Sequence, residues 1–298
     1  MAKARDLKRR IRSVENTRQI TKTMEMVAAS KLKRAQDRVV AARPFDDFMR
    51  QVIGQLRRGA EGAEAVHPLL RDRVAVGRAG IIVITSNRGL AGAFNANLVR
   101  TALQKLRELS AEGLAVELHV VGKKGASMLR YQGSAPDRVV SDLSDRPSFE
   151  EADRVAVPLV DAFVAGALDA VWLVYSHFRS PVEQRPVAAQ LLPLPIAEEQ
   201  EDGAPEQERS YVPIYEFLPS SSEILARILP LYVRYGVYRA IIESAASEHG
   251  ARRTAMKNAT DNAGDIIKDL RRSYNRARQA QITQEIAELV GGAEALKG

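Results

Sequence analysis

IESAASEHGARRTAMKNATDNAGDIIKDLRRSYNRARQA, residues 242–280, is the stretch whose reading decides the fold. It holds no proline, and Ile242, Ala245, His249, Arg252, Met256, Ala259, Ala263, Ile266, Leu270, Ser273, Ala277 and Ala280 recur at alternating steps of three and four. That period keeps one side of an α-helix turned toward a neighbouring helix, so it predicts a coiled-coil seam. The many alanines would let two helices approach closely, at the cost of buried area. Working outward, Ser220 after Pro219, with Glu223 three residues on, reads as a capping box opening the helix. Pro230 is expected to kink its first turns. The predicted segment, 220–290, would run for about 100 Å between Ser220 and Glu288 at the helical rise.

Its partner is expected at the other end of the chain. From Ala2 to about Arg57 the only proline is Pro44 and the first glycine is Gly54. Helix is the economical reading of residues 1–57, with a length of about 80 Å. Leu7, Ile11, Val14, Ala28, Leu32, Ala35, Val39 and Ala42 share one heptad frame, which lands on polar Arg18, Thr21 and Glu25 in between. There the apolar residues move to a neighbouring face, at Ile20, Met24 and Val27. A helix patterned in this way is expected to meet more than one surface along its length.

Between the two helices the period changes. Gly80–Thr85 is a short apolar run followed by the glycine-containing turn SNRGLAGAFN, residues 86–95. A helix is predicted over Ala91–Leu109, a strand over Ala115–Val121, a helix near Lys124–Tyr131 and a short strand at Arg138–Val140. Phe149–Ala165 reads as helix, then Ala170–Ser176 and Val182–Leu192 as strands. Buried strands alternating with helices imply a mainly parallel, Rossmann-like sheet over 76–195, covered on both faces. Residues 197–209, AEEQEDGAPEQER, are acidic and rich in turn formers. They read as an exposed loop within a 196–215 linker. The fold class is therefore α/β plus a long antiparallel coiled coil, with the N- and C-terminal helices paired and the sheet domain inserted between them.

Composition narrows the function. The chain has 298 residues and a net charge of +7. Cysteine is absent, which removes disulfides, thiolate metal sites and thiol catalysis. Basic residues near the start have no apolar stretch behind them, so no signal peptide is expected, and no run approaches the roughly 20 apolar residues of a membrane span. A cytoplasmic protein is expected. Residues 1–43 carry thirteen Lys/Arg against Asp6, Glu15, Glu25 and Asp37. Such a block is either a solvated helix face or a surface that seeks an acidic partner: nucleic acid, lipid headgroups or protein.

Candidate chemistry is sparse. SNRGLAGAFN follows a strand and opens a helix, where phosphate can bind, but Gly89 and Gly92 complete neither G-x-G-x-x-G nor G-K-[ST]. A tight turn needs glycine in any case. His67, His119, His177 and His249 lack metal-ligand spacing. Ser86 lacks a nucleophile elbow, and no catalytic constellation stands out. No catalytic residue, metal or cofactor is expected. The runs at 252–263 and 274–285 instead put Asn, Thr, Gln and Arg on a helix, either as ordinary surface polarity or as hydrogen-bonding groups for a surrounding protein.

Three motifs then become specific. Ile20-Thr-Lys-Thr-Met-Glu-Met-Val-Ala-Ala-Ser-Lys-Leu, Ser86-Asn-Arg-Gly-Leu-Ala-Gly-Ala-Phe-Asn95, and Glu248 through Ile286 resemble, in order, the signatures of the gamma subunit of F-type ATP synthases. The resemblance covers nearly the whole chain. It implies a non-catalytic rotor shaft inside a ring of three alpha and three beta subunits, with the sheet domain at the foot beside the epsilon subunit and the membrane c-ring. It implies contact with beta near Lys22, Met24, Arg278, Gln279 and Thr283, and an apolar sleeve around Ile286, Leu289 and Val290. It implies no nucleic acid and no small-molecule substrate of its own, and a peripheral place on the cytoplasmic face of the cell membrane. The regulatory cysteine insert of chloroplast members is missing, so redox control of that type is excluded. A basic coiled-coil nucleic-acid-binding protein is the alternative. A nucleotide-binding enzyme built on the central domain is a third reading, and it lacks a phosphate motif.

Overall fold

A computed structural model describes residues 2–59, 67–70, 76–195 and 221–295. The acidic 197–209 segment and Ser220, with its expected capping box, lie outside the described residues. The elements in order are α1 (Ala2–Gly59), β1 (Arg78–Ile84), α2 (Phe94–Ala111), β2 (Ala115–Val121), α3 (Lys123–Tyr131), β3 (Arg138–Val140), α4 (Phe149–Val164), β4 (Ala170–Phe178), β5 (Gln184–Leu192) and α5 (Ser221–Ala295). A 3-10 turn spans Pro68–Leu70. The expected strands and helices are all present, with ends shifted by up to three residues, except that α5 runs five residues past its expected end. α1 continues through Pro44 and α5 through Pro230. The chain divides into two compact units, residues 31–251 and residues 1–30 with 252–298.

In the 31–251 unit the strands form a five-stranded sheet in the order β3-β2-β1-β4-β5. The first four are parallel, and β5 pairs antiparallel with β4 at the edge. Successive strand residues point to opposite faces, and the core divides accordingly. Ile81 and Val83 of β1 join Leu118 and Val120 under α2 and α3. Ile82 and Ile84 join Leu173, Tyr175 and the α4 residues Val155, Leu159 and Phe163 on the other face. Near-continuous apolar strands are what a sheet covered on both sides requires. The chain thus builds outward from β1 under one helical layer, then crosses beneath α4 to β4. The strand order reverses between β1 and β4.

The second face also takes the lower part of α5. Leu225, Leu229, Val233, Val237 and Ile241 are buried there, with Leu56 of α1. Polar groups fix the docking. Ser244 Oγ accepts from Ser176 N at 3.1 Å, Ser247 Oγ donates to Ser176 O at 3.2 Å, and Glu243 accepts from Phe178 N at 3.3 Å. Where α1 meets α5 in this unit, Leu32, Val39 and Ala42 pack on Tyr235, Ile242 and Ala246. The Tyr235 hydroxyl donates to Ala42 O at 2.7 Å. Burial, reinforced by nearby Asp46, pushes that phenol up to about 12. Asp46 itself is buried but doubly paired, with Arg50 Nε at 3.0 Å and an Arg239 guanidinium nitrogen at 2.5 Å. A buried carboxylate persists only with such partners.

Candidate functional site

The predicted contact residues all fall in the unit made of residues 1–30 and 252–298. There α1 and α5 run antiparallel. Thr21 meets Thr260, Arg18 lies beside Gly264, and Glu15 pairs with Arg271 at 2.6 Å, so numbers fall on one helix as they rise on the other. On α1 the interface side includes Ile11, Val14, Thr21, Glu25 and Ala28, so the heptad frame runs through polar Thr21 and Glu25, while its other polar member, Arg18, is exposed. The Thr260 hydroxyl reaches the Thr21 hydroxyl at 2.8 Å, and Thr21 in turn donates to Arg18 O at 3.0 Å. Two polar seam residues thereby satisfy each other, which removes the cost of burying them.

On α5 the seam differs from the sequence reading at alternate positions. Met256, Thr260, Ala263 and Ile267 are buried, and Leu270, Tyr274, Ala277 and Gln281 are half-buried. The frame through Ala259, Ile266, Ser273 and Ala280 is therefore corrected by one residue at each of those positions. Ile266 is 50% exposed, whereas Ile267 is 5% exposed. Both frames share Met256, Ala263, Leu270 and Ala277 and both step by three and four. Apolar content favours the wrong one because Thr260 is polar. The threonine pair across the helices is what makes the right one possible.

Outside the seam the unit carries a mixed surface. On α1, Ile20, Met26 and Val27 are exposed and Met24 is half-buried. Lys22 is exposed and sits 3.4 Å from Glu25, a pair worth little in solvent. On α5, Arg278, Gln279 and Thr283 are exposed, and Thr283 Oγ1 donates to Gln279 O at 3.0 Å. Further along, Ile282, Ile286, Leu289 and Val290 are all exposed, Leu289 at 75%. Their steps of four and three put them on one face as an uncovered apolar stripe. Sequence reading named most of these residues but not Met26 or Ile282. The i+4 spacing of Ile282 to Ile286 was the available signal.

Charge is distributed with the same bias. Residues 1–30 and 252–298 contain seventeen Lys/Arg against nine Asp/Glu, and residues 31–251 contain 27 against 28. The whole positive excess of the chain therefore belongs to the paired helices.

The glycine turn after β1 lies at the strand-order reversal, where open α/β sheets usually bind ligands. Here its polar groups bind one another. Asn95 Oδ1 accepts from Ser86 N at 3.0 Å, and Ser86 Oγ donates to Arg88 O at 2.6 Å. The amides that open α3 are also taken: Lys123 N by Asn87 Oδ1, Lys124 N by Ser86 O and Gly125 N by Thr85 Oγ1. Gly122, at φ +99°, lets the β2–α3 turn close on Thr85, whose carbonyl oxygen would lie 2.4 Å from an added Cβ. The motif knits β1 to β2 and leaves these amides no capacity for phosphate. Among the described residues there is no cluster of potential metal ligands, and no helix is long and apolar enough to cross a membrane.

Known proteins point the same way as the surface. A family profile described as ATP synthase matches residues 3–296. The ATP synthase gamma chain of Gemmatimonas aurantiaca is 48% identical, over all of both chains, and that of Frankia casuarinae is 44% identical over 98% of this chain and 97% of its own. Among solved structures, a central-stalk chain of the Tetrahymena thermophila mitochondrial ATP synthase aligns over 80% of this chain and 99% of its own, at 27% identity and TM-score 0.57. A chain of the Euglena gracilis mitochondrial ATP synthase, at 22% identity and TM-score 0.69 over 99% of this chain and 95% of its own, shares the fold. Nothing in these likenesses supports nucleic-acid binding. A central mixed sheet with a long helix before and after it in the sequence, a family profile over nearly the whole chain and full-length relatives of one kind lead to one conclusion: the chain belongs to the gamma-chain family of ATP synthases, the non-catalytic central-stalk subunits of that enzyme.

Proposed function

We propose that the paired α1 and α5 helices act as the axle that couples proton-driven rotation of a membrane c-ring to the conformational cycle of three catalytic beta subunits. The observation that carries this reading is the division of labour around each helix. One side holds the partner helix, and another leaves polar, basic and apolar groups uncovered. Torque needs two mutually supporting helices, because a single helix in water is marginal without a packed face. A bearing is better served by many weak contacts than by a few deep anchors, since deep anchors would hold the shaft at one angle.

In this reading Lys22, Met24, Arg278, Gln279 and Thr283 face the beta subunits of an alpha3beta3 hexamer. Ile286, Leu289 and Val290 run in an apolar sleeve at the far end. The 76–195 sheet domain takes the foot, beside the epsilon subunit and the c-ring. The complex would hold the chain peripherally at the cytoplasmic face of the cell membrane. The basic excess of the shaft gives nondirectional attraction to an acidic surround, which survives rotation where a fixed ion pair would not. Affinity purification of the chain from its native cells tests the assignment. The shaft should bring down an alpha/beta hexamer with ATPase activity, and recovery of the chain only as a free protein contradicts the reading.

A further inference from the structure

Four cations and a histidine from three separate elements of the 31–251 unit meet around a pocket of about 210 Å³. Lys31, Arg34 and Arg38 follow at steps of three and four, so α1 offers them on one face. Arg146 comes from the segment leading into α4, and buried His249 comes from α5. Asp145 is the one acidic side chain of the lining, and it accepts from Lys31 Nζ at 2.5 Å. Cationic side chains outnumber carboxylates in the lining by three, His249 counted as neutral.

Two further observations bear on what would fit. The Lys31 hydrogen bond holds the Asp145 carboxyl below its usual range, and Arg88 and His249 add to the effect, so a resident carboxylate senses a positive field. The volume falls short of the about 300–1,000 Å³ typical of sites for larger organic ligands. Planar guanidinium forks match the oxygens of a tetrahedral oxyanion, often in pairs of parallel hydrogen bonds. We propose that this pocket is a phosphate-binding site, taking either a free phosphate ion or the terminal phosphate of a nucleotide or polyphosphate.

Calorimetric titration of the full chain with inorganic phosphate in low-chloride buffer tests it. Saturable binding at one site is expected. Arg146→Gln and the double variant Arg34→Gln/Arg38→Gln should each weaken it by about tenfold or more, the scale of one lost charged hydrogen bond. Asp145→Asn should tighten binding by removing the competing carboxylate. Lys33→Gln should leave it unchanged, because Lys33 pairs with Asp37 at 2.8 Å and lies outside the lining. Titrations with ADP and adenosine separate the sources. ADP binding tighter than phosphate, with adenosine inert, identifies a nucleotide phosphate, whereas equal affinities for ADP and phosphate identify the free ion. Circular dichroism checks folding, and Arg146→Gln alone decides the matter if the double variant fails to fold. No saturable heat with phosphate overturns the proposal. So does an equal loss in Lys33→Gln and Arg146→Gln, which would mean diffuse attraction of a kind an acidic protein surface also exploits.

Discussion

Single residues carry the joints of this molecule. Gly122 closes the β2–α3 turn on Thr85, and its positive φ alone costs a non-glycine residue about 1–3 kcal/mol. An added Cβ would also lie 2.4 Å from a backbone carbonyl that cannot swing away. Gly122→Ala should therefore lower stability by more than about 3 kcal/mol in chemical denaturation, well beyond a typical surface change. Tyr235 offers a test by pH. Its folded phenol titrates at about 12, raised from an ordinary value of 10.0, so the neutral form is favoured in the folded chain. The associated stability is complete below the unfolded value and is lost as pH rises through the folded one. Tyr235→Phe should cost about 1 kcal/mol at neutral pH through the lost Ala42 hydrogen bond. It should also flatten the fall in stability between pH 10 and about 12, as thermal melts across that range will reveal.

At the level of elements, the sequence was legible wherever one period excluded the others. The β1 run Gly80-Ile-Ile-Val-Ile84 could only be a strand buried on both faces, and alternate residues duly enter separate cores. The α5 seam was legible as a seam but not in its frame, because Ala259 and Ile266 satisfy the arithmetic as well as Thr260 and Ile267 do. Only the opposite helix decides between them, and the deciding contact is polar, between Thr21 and Thr260. Sequence reading likewise separated Ile20 and Val27 from the α1 frame, and both are exposed. Convergence was illegible: nothing in the chain order says that Arg146 and His249 join Lys31, Arg34 and Arg38 around one pocket. The corrected seam predicts a sharp contrast. Ile267→Ala should destabilise by about 2–4 kcal/mol, in the range for a buried aliphatic, while exposed Ile266→Ala should stay within about 1 kcal/mol. Denaturant titration of the two variants measures the difference directly.

For the whole molecule, the account rests on a basic, paired-helix unit attached in sequence to a near-neutral α/β unit. If the basic excess holds the shaft among its neighbours, reversing several charges between residues 8 and 34 should weaken assembly with an alpha/beta hexamer, and most at low salt, where Coulomb attraction reaches furthest. Unchanged assembly and ATP hydrolysis would remove that part of the explanation. The central claim is rotation itself. Because the chain has no cysteine, Tyr131→Cys gives a unique handle at a side chain that is 90% exposed. A bead on that handle, in a complex with an immobilised alpha/beta hexamer, can be watched during ATP hydrolysis. The account predicts sustained turning in one direction that stops when ATP is withdrawn. A bead that stays fixed, or only fluctuates, while ATP is hydrolysed at the full rate would contradict it.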